Sequence, residues 1–137
     1  VRLGKMYPKM GSSSVQEGTT VQDSSDANKK GGWIKVEATV DSPNLNTTQG
    51  DLEKHAKDNK YSLQRLSVYV LASQASKDLT GRYLDEGPPW SRLGSRRWSS
   101  VVDASFDSGG DLRVDSRLWP RFHRADLGGR FEEVKKA

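Results

Sequence analysis

Residues 61–83 read YSLQRLSVYVLASQASKDLTGRY, and the fold turns on this stretch. Leu66, Val68 and Val70 fall on alternate positions, the period of a half-buried strand. Val68-Tyr69-Val70 supplies the β-branched and aromatic side chains that pack well on a pleated surface. The same residues also fit helical spacing. Leu63, Leu66 and Val70 share one helical face, and Val68, Leu71, Ala72, Ala75 and Leu79 share another. The alternation predicts a strand over Leu63–Ser73, then a turn near Lys77–Gly81. A helix over 62–84 packed on a smaller sheet is the alternative.

On the C-terminal side, Gly87-Pro88-Pro89 is a hard break. Beyond it, Ser99–Phe106 and Asp111–Leu118 flank Asp107-Ser108-Gly109-Gly110 and read as a hairpin. A three-residue loop, Ser108 to Gly110, pairs Phe106 with Leu112, Ala104 with Val114 and Val102 with Ser116 on one face. Ser105–Arg113, Asp103–Asp115 and Val101–Arg117 pairs then fill the other. A two-residue loop would mix the faces, so the longer loop with a left-handed glycine is favoured. On this register Arg113 and Arg117 face solvent. The remainder, from Trp119-Pro120, carries Phe122, Leu127 and Phe131 among charges and offers at most a short terminal helix over Arg130–Lys136.

On the N-terminal side, Thr48 with Asp51 resembles a capping box before a short surface helix whose apolar residues are Leu52 and Ala56. Ile34, Val36, Ala38 and Val40 alternate with polar residues, giving a strand over Trp33–Val40 that Pro43 ends. Residues 11–32 read GSSSVQEGTTVQDSSDANKKGG, with too little apolar area to offset the entropy of ordering. Such a segment is expected to lie as an arm along a neighbour.

The chain has 137 residues, the size of one domain, and 33 % hydrophobic residues, low for a globular protein. Mean hydropathy is -0.80. The absence of cysteine excludes disulfides, thiolate metal sites and thiol catalysis. No apolar run approaches the roughly 20 residues of a membrane span, and a soluble protein is expected. The sequence opens Val1-Arg2-Leu3, which fits removal of a presequence on entry to an organelle, or a boundary within a longer product. Net charge is +4, evenly spread, but the chemistry shifts. Residues 1–81 carry nine Lys and two Arg, and residues 82–137 carry nine Arg and two Lys.

Few constellations suggest chemistry. His55 and His123 are far apart, and no nucleophile elbow or phosphate loop is present. The glycine pairs read as turns. Asp103, Asp107, Asp111 and Asp115 read as solvated turn and strand residues rather than a cation loop. Asp85-Glu86 and Glu132-Glu133 read as solvated acids, and Asn46-Thr47-Thr48 as a formal glycosylation triplet. The densest unusual composition is Trp90, Arg92, Arg96, Arg97, Trp98, Arg113, Arg117, Trp119, Arg121 and Arg124. Trp and Arg are enriched at binding hot spots, and aromatic–cation mixtures also suit single-stranded nucleic acid.

The expected fold is therefore α+β: a small antiparallel sheet or partial barrel with one or two short helices and an extended N-terminal arm. Residues 1–32 form the arm, 33–131 a single globular domain and 132–137 a charged tail. The expected function is that of a non-enzymatic accessory subunit of a larger assembly, in an organelle, with no cofactor and no catalytic or metal site. Its partners are other protein subunits, with peripheral contact to a membrane complex but no membrane span. An RNA-binding protein of ribosomal type is the second reading. A small-ligand carrier with a β-barrel mouth lined by Trp90, Trp98 and Trp119 is the third.

Overall fold

The computed structural model describes Tyr7 and residues 33–87, 89–97, 100–117 and 126–135. These residues form an α+β fold of seven strands and two helices: β1 (Trp33–Val36), α1 (Gln49–Asn59), β2 (Ser62–Leu63), α2 (Leu66–Thr80), β3 (Trp90–Arg97), β4 (Ser100–Phe106), β5 (Leu112–Arg117), β6 (Leu127–Gly129) and β7 (Phe131–Lys135). One sheet has the order β5-β4-β3-β6 and the other β1-β7-β2. Every pairing is antiparallel except β3 with β6. The two sheets do not close into a barrel.

The deciding stretch is a helix, so the strand predicted over Leu63–Ser73 is corrected. Only Ser62–Leu63 pair as a strand, against β7. From Leu66 the chain coils, and Leu66, Tyr69, Val70, Ser73 and Ser76 are buried. That is the spacing of one helical face. The apolar alternation at 66, 68 and 70 imitated a strand because Val68 is buried as well. The helix begins without a side-chain cap from Arg65. Instead, Leu66 N donates to Ser95 Oγ of β3 at 2.8 Å. It stops at Gly81, whose φ of 82° suits glycine and whose N–H returns to Lys77 O.

The hairpin holds the predicted register: Phe106 pairs with Leu112, Ala104 with Val114, Val102 with Ser116 and Asp103 with Asp115. Asp107 N donates to Asp111 O at 3.0 Å, and Gly110 has a φ of 86°. Asp107 Oδ1 accepts from Gly109 N and Asp111 N, fixing the turn. A side chain at Gly110 would also collide with the ring of Tyr83. The expectation about exposure was wrong. Asp103 and Ser105 are as buried as Ala104 between them.

The main core lies between α2 and the four-stranded sheet, with Leu66, Tyr69, Leu93, Phe106, Leu112 and Val114 among its fully buried members. Three rings surround Phe106. Tyr83 stacks on it at 5.7 Å, Tyr7 meets it edge-on at 5.5 Å, and Tyr69 tilts against it at 5.5 Å. Tyr7 also donates to Gly110 O at 2.5 Å and accepts from Gln74 Nε2 at 3.3 Å. At this one point, the segment expected to reach outward rests on its own chain. The rest of residues 1–32 lies outside the described residues.

A smaller core packs α1 on the three-stranded sheet through Leu52, Ala56 and Phe131, with Leu63 beside them. The expected capping box is present. Thr48 Oγ1 accepts from Asp51 N, and Asp51 Oδ2 accepts from Thr48 N. Two boundaries move. β1 ends at Val36 rather than Val40, although Glu37 N still donates to Phe131 O. Residues 132–135, expected as part of a tail or terminal helix, belong to the central strand of their sheet. Gly128 lies in a strand rather than a turn, where a Cβ would fall inside the Pro43 carbonyl oxygen.

Candidate functional site

Arg130 sits between β6 and β7, where the chain leaves one sheet for the other. Its side chain and that of Asp85 have no solvent exposure. Arg130 Nη2 donates to Asp85 Oδ1 at 2.8 Å, and Nε lies 3.1 Å from Ser91 Oγ. Nη1 donates to Glu37 O at 3.0 Å and Nη2 also reaches Val40 O at 3.4 Å. The planar guanidinium therefore ties the strand–helix connection after β1 to the start of β3. Asp85 Oδ2 accepts from Tyr69 Oη at 2.6 Å and Ser91 Oγ at 2.8 Å. Asp85 also carries a left-handed φ of 54°, held by its N–H to Val40 O at 2.7 Å. Burial, and then the adjacent Asp85 charge, push the Tyr69 phenol well above its ordinary pKa.

A second buried pair lies nearby. Arg65 grips Glu132 with Nε to Oε1 at 2.7 Å and Nη2 to Oε2 at 3.1 Å. Arg65 N adds a bond to Oε1 at 3.3 Å. Asp85 and Glu132, both expected in solvent, are thus structural anions inside the protein. Neither cluster is open to a substrate, since the pairing side chains are at most 4 % exposed. Arg130 with Asp85 links the segment after β1 to β3, and Arg65 on Glu132 ties β7 to the start of α2.

The predicted Arg/Trp set divides. Trp90, Arg92, Asp103, Ser105, Arg113 and Asp115 share the sheet face opposite the main core, as the β3-β4-β5 register requires. Arg92 is fully buried opposite Asp103, so its assignment to a binding surface is corrected. Arg113 is half-buried rather than exposed; its guanidinium lies 5.1 Å from the Trp90 ring, and Nη2 reaches Phe106 O at 3.4 Å. Arg96 is partly exposed and pairs with Glu53 of α1 at 3.2 Å. Arg97 and Arg117 take their places in β3 and β5. Trp98, Trp119, Arg121 and Arg124, like His123, lie outside the described residues.

Two surface features were not singled out from the sequence. On α2, Leu71 is 67 % exposed and Leu79 86 % exposed, with exposed Ala75 between them at helical spacing. The second helical face noted in the sequence was their signal, once the helix is recognised. Beside α1, a solvent-open pocket of about 120 Å³ is lined by Lys35, Val36, Glu37, Tyr61, Phe131 and Glu133, among others. Burial raises the Glu37 carboxyl above its usual range.

Among the described residues, no group of three His, Asp or Glu side chains could hold a metal ion. No helix there is long and apolar enough to cross a membrane. No protein-family model, curated protein or solved structure matches the chain.

Proposed function

We propose that this chain is a non-enzymatic accessory subunit that docks on a protein partner through the outer face of α2. The observation that carries this reading is the row Leu71, Ala75 and Leu79 in water on a helix whose other face is locked in the main core. Burying a large aliphatic side chain fully is worth about 1.5–3 kcal/mol, so two leucines add a substantial gain. A rigid helix meets little ordering cost on binding. The row matches the anchor spacing of helix-mediated recognition. Half-buried Arg113 on Trp90 provides a second contact of hot-spot composition.

The test is tagged chain expressed in its native cells and sized gently. Wild type should elute in a stoichiometric particle much larger than 15.2 kDa. Leu71→Asp/Leu79→Asp should release it as free chain with its melting temperature little changed, because neither side chain is in the core. Elution of wild type as free chain overturns the reading. Collapse of the particle on nuclease treatment favours the RNA-binding alternative, whose affinity should fall steeply with salt. The carrier reading loses its barrel mouth, because the sheets stay open.

A further inference from the structure

We infer that the pocket beside α1 binds a small organic cation, namely an alkylated ammonium head group. This site is remote in kind from the α2 row and does not rest on it. The pocket's apolar part is Val36 and two aromatic rings, of which Tyr61 is exposed and Phe131, a member of the smaller core, shows only an edge. Phe131 and Tyr61 line it, with ring centroids 6.3 Å apart, and the His55 ring lies 5.0 Å from Phe131. Aromatic faces attract cations through their quadrupole, and quaternary ammonium groups are the ligands such walls suit best.

Charge points the same way. Glu37, Glu132 and Glu133 line the pocket with Lys35, and Glu132 is already paired with Arg65. Lys35 stands directly across from Glu133 in the β1–β7 register, so its charge is offset by that carboxylate. Glu37 remains, half-buried on the same side; Asn44 Nδ2 reaches it at 3.5 Å, the Phe131 backbone N–H also bonds it, and the charges of Arg130 and His55 favour it in part. Burial works against its charge, and a cation seated beside it would restore what desolvation costs.

Size is consistent. An apolar cavity of about 150 Å³ accepts benzene. A pocket of about 120 Å³ that opens to water takes a trimethylammonium head with its substituent outside. That head group could belong to a free choline-like metabolite or to a methylated lysine of another protein. The shared chemistry is the alkylated cation.

Its test is a titration of the full chain followed by amide and ring-proton NMR shifts of residues 35–37, 61 and 131–133. The probes are choline chloride, its neutral carbon isostere 3,3-dimethylbutan-1-ol, and a trimethyl-lysine peptide, at constant ionic strength. Choline should give saturable shifts and bind at least about threefold more tightly than the alcohol. Glu37→Gln should weaken it about threefold to fivefold, and Lys35→Gln should tighten it. Both side chains lie outside the core, so both variants should fold; unchanged far-resonance spectra check this. Tenfold tighter peptide binding assigns the head group to a partner chain, and comparable binding assigns it to a metabolite. Absence of saturation by both choline and the peptide, equal binding of the alcohol, or weaker binding by Lys35→Gln overturns the site.

Discussion

The two halves of this molecule are held together by different means. Ten buried side chains fill the space between α2 and the four-stranded sheet. Among the described residues, Leu52, Ala56 and Phe131 do the same between α1 and the three-stranded sheet, with Leu63 packed beside them. Each large apolar side chain fully buried is worth about 1.5–3 kcal/mol, so the described residues of the second unit gain less from water exclusion. It is held instead by a capped helix, by Arg65 on Glu132, and by Arg130 on Asp85 at the border. Buried ion pairs add little net energy over well-packed apolar groups, but breaking one is costly. The lesson is that a chain short of apolar residues fixes its second sheet by directional bonds, and that this sheet depends on single charges.

The largest expected effect follows at the border. Arg130→Met strands the Asp85 carboxylate and should lower unfolding free energy by about 3–5 kcal/mol. Asp85→Leu combined with Arg130→Met should recover part of that loss. Urea denaturation measures both, and a single-variant cost below about 1 kcal/mol would break the comparison.

Hydrogen exchange sharpens it. Amides of β1 and β7 should open at lower free energy than those of β4, by at least about 2 kcal/mol, because local unfolding follows local burial. Equal protection of the two sheets would mean that they melt as one unit.

The smallest expected effect is at Tyr69. Tyr69→Phe removes one of the bonds to Asp85 and should cost about 0.5–1.5 kcal/mol at neutral pH. Its sharper signature is alkaline. The folded protein holds the Tyr69 proton more tightly than the unfolded chain does, mainly through burial and then through Asp85. That stability is whole below the ordinary phenol range and falls as pH rises beyond about 10. Melting temperature should therefore drop more steeply with alkali in wild type than in Tyr69→Phe.

What could be read from the sequence was local. The hairpin register followed from Gly110 and from the alternation of Val102, Ala104 and Phe106 against Val114 and Leu112. Thr48 and Asp51 announced α1 because a capping box lies within one turn. The sheet junction was hidden because its partners are remote. Asp85 and Arg130 are 45 positions apart, and Arg65 and Glu132 are 67 apart. Nothing about an isolated Asp or Arg reports such a partner. α2 was mistaken for a strand because buried Val68 completed an alternation that belongs to two sides of a helix. Gly128 looked like a turn residue, and only its neighbour Pro43 shows why it is glycine. Of the surface features, the α2 row was visible as a face but not as an exposed one. The pocket joins β1, the α1–β2 connection and β7, which no local pattern brings together.

The pairing of β1 with β7 also governs how the protein can be made. Trp33 finds its partner Lys135 roughly a hundred positions downstream. A ribosome must therefore release nearly all of the described chain before β1 has a neighbour on either side. Until then the nascent strand shows bare peptide groups, and Arg65 and Asp85 await their counter-ions. Such distant closures slow folding and lengthen exposure to aggregation. A chaperone that shields residues 33–36 during synthesis should raise yield more than one acting on the hairpin, which completes itself within about twenty residues.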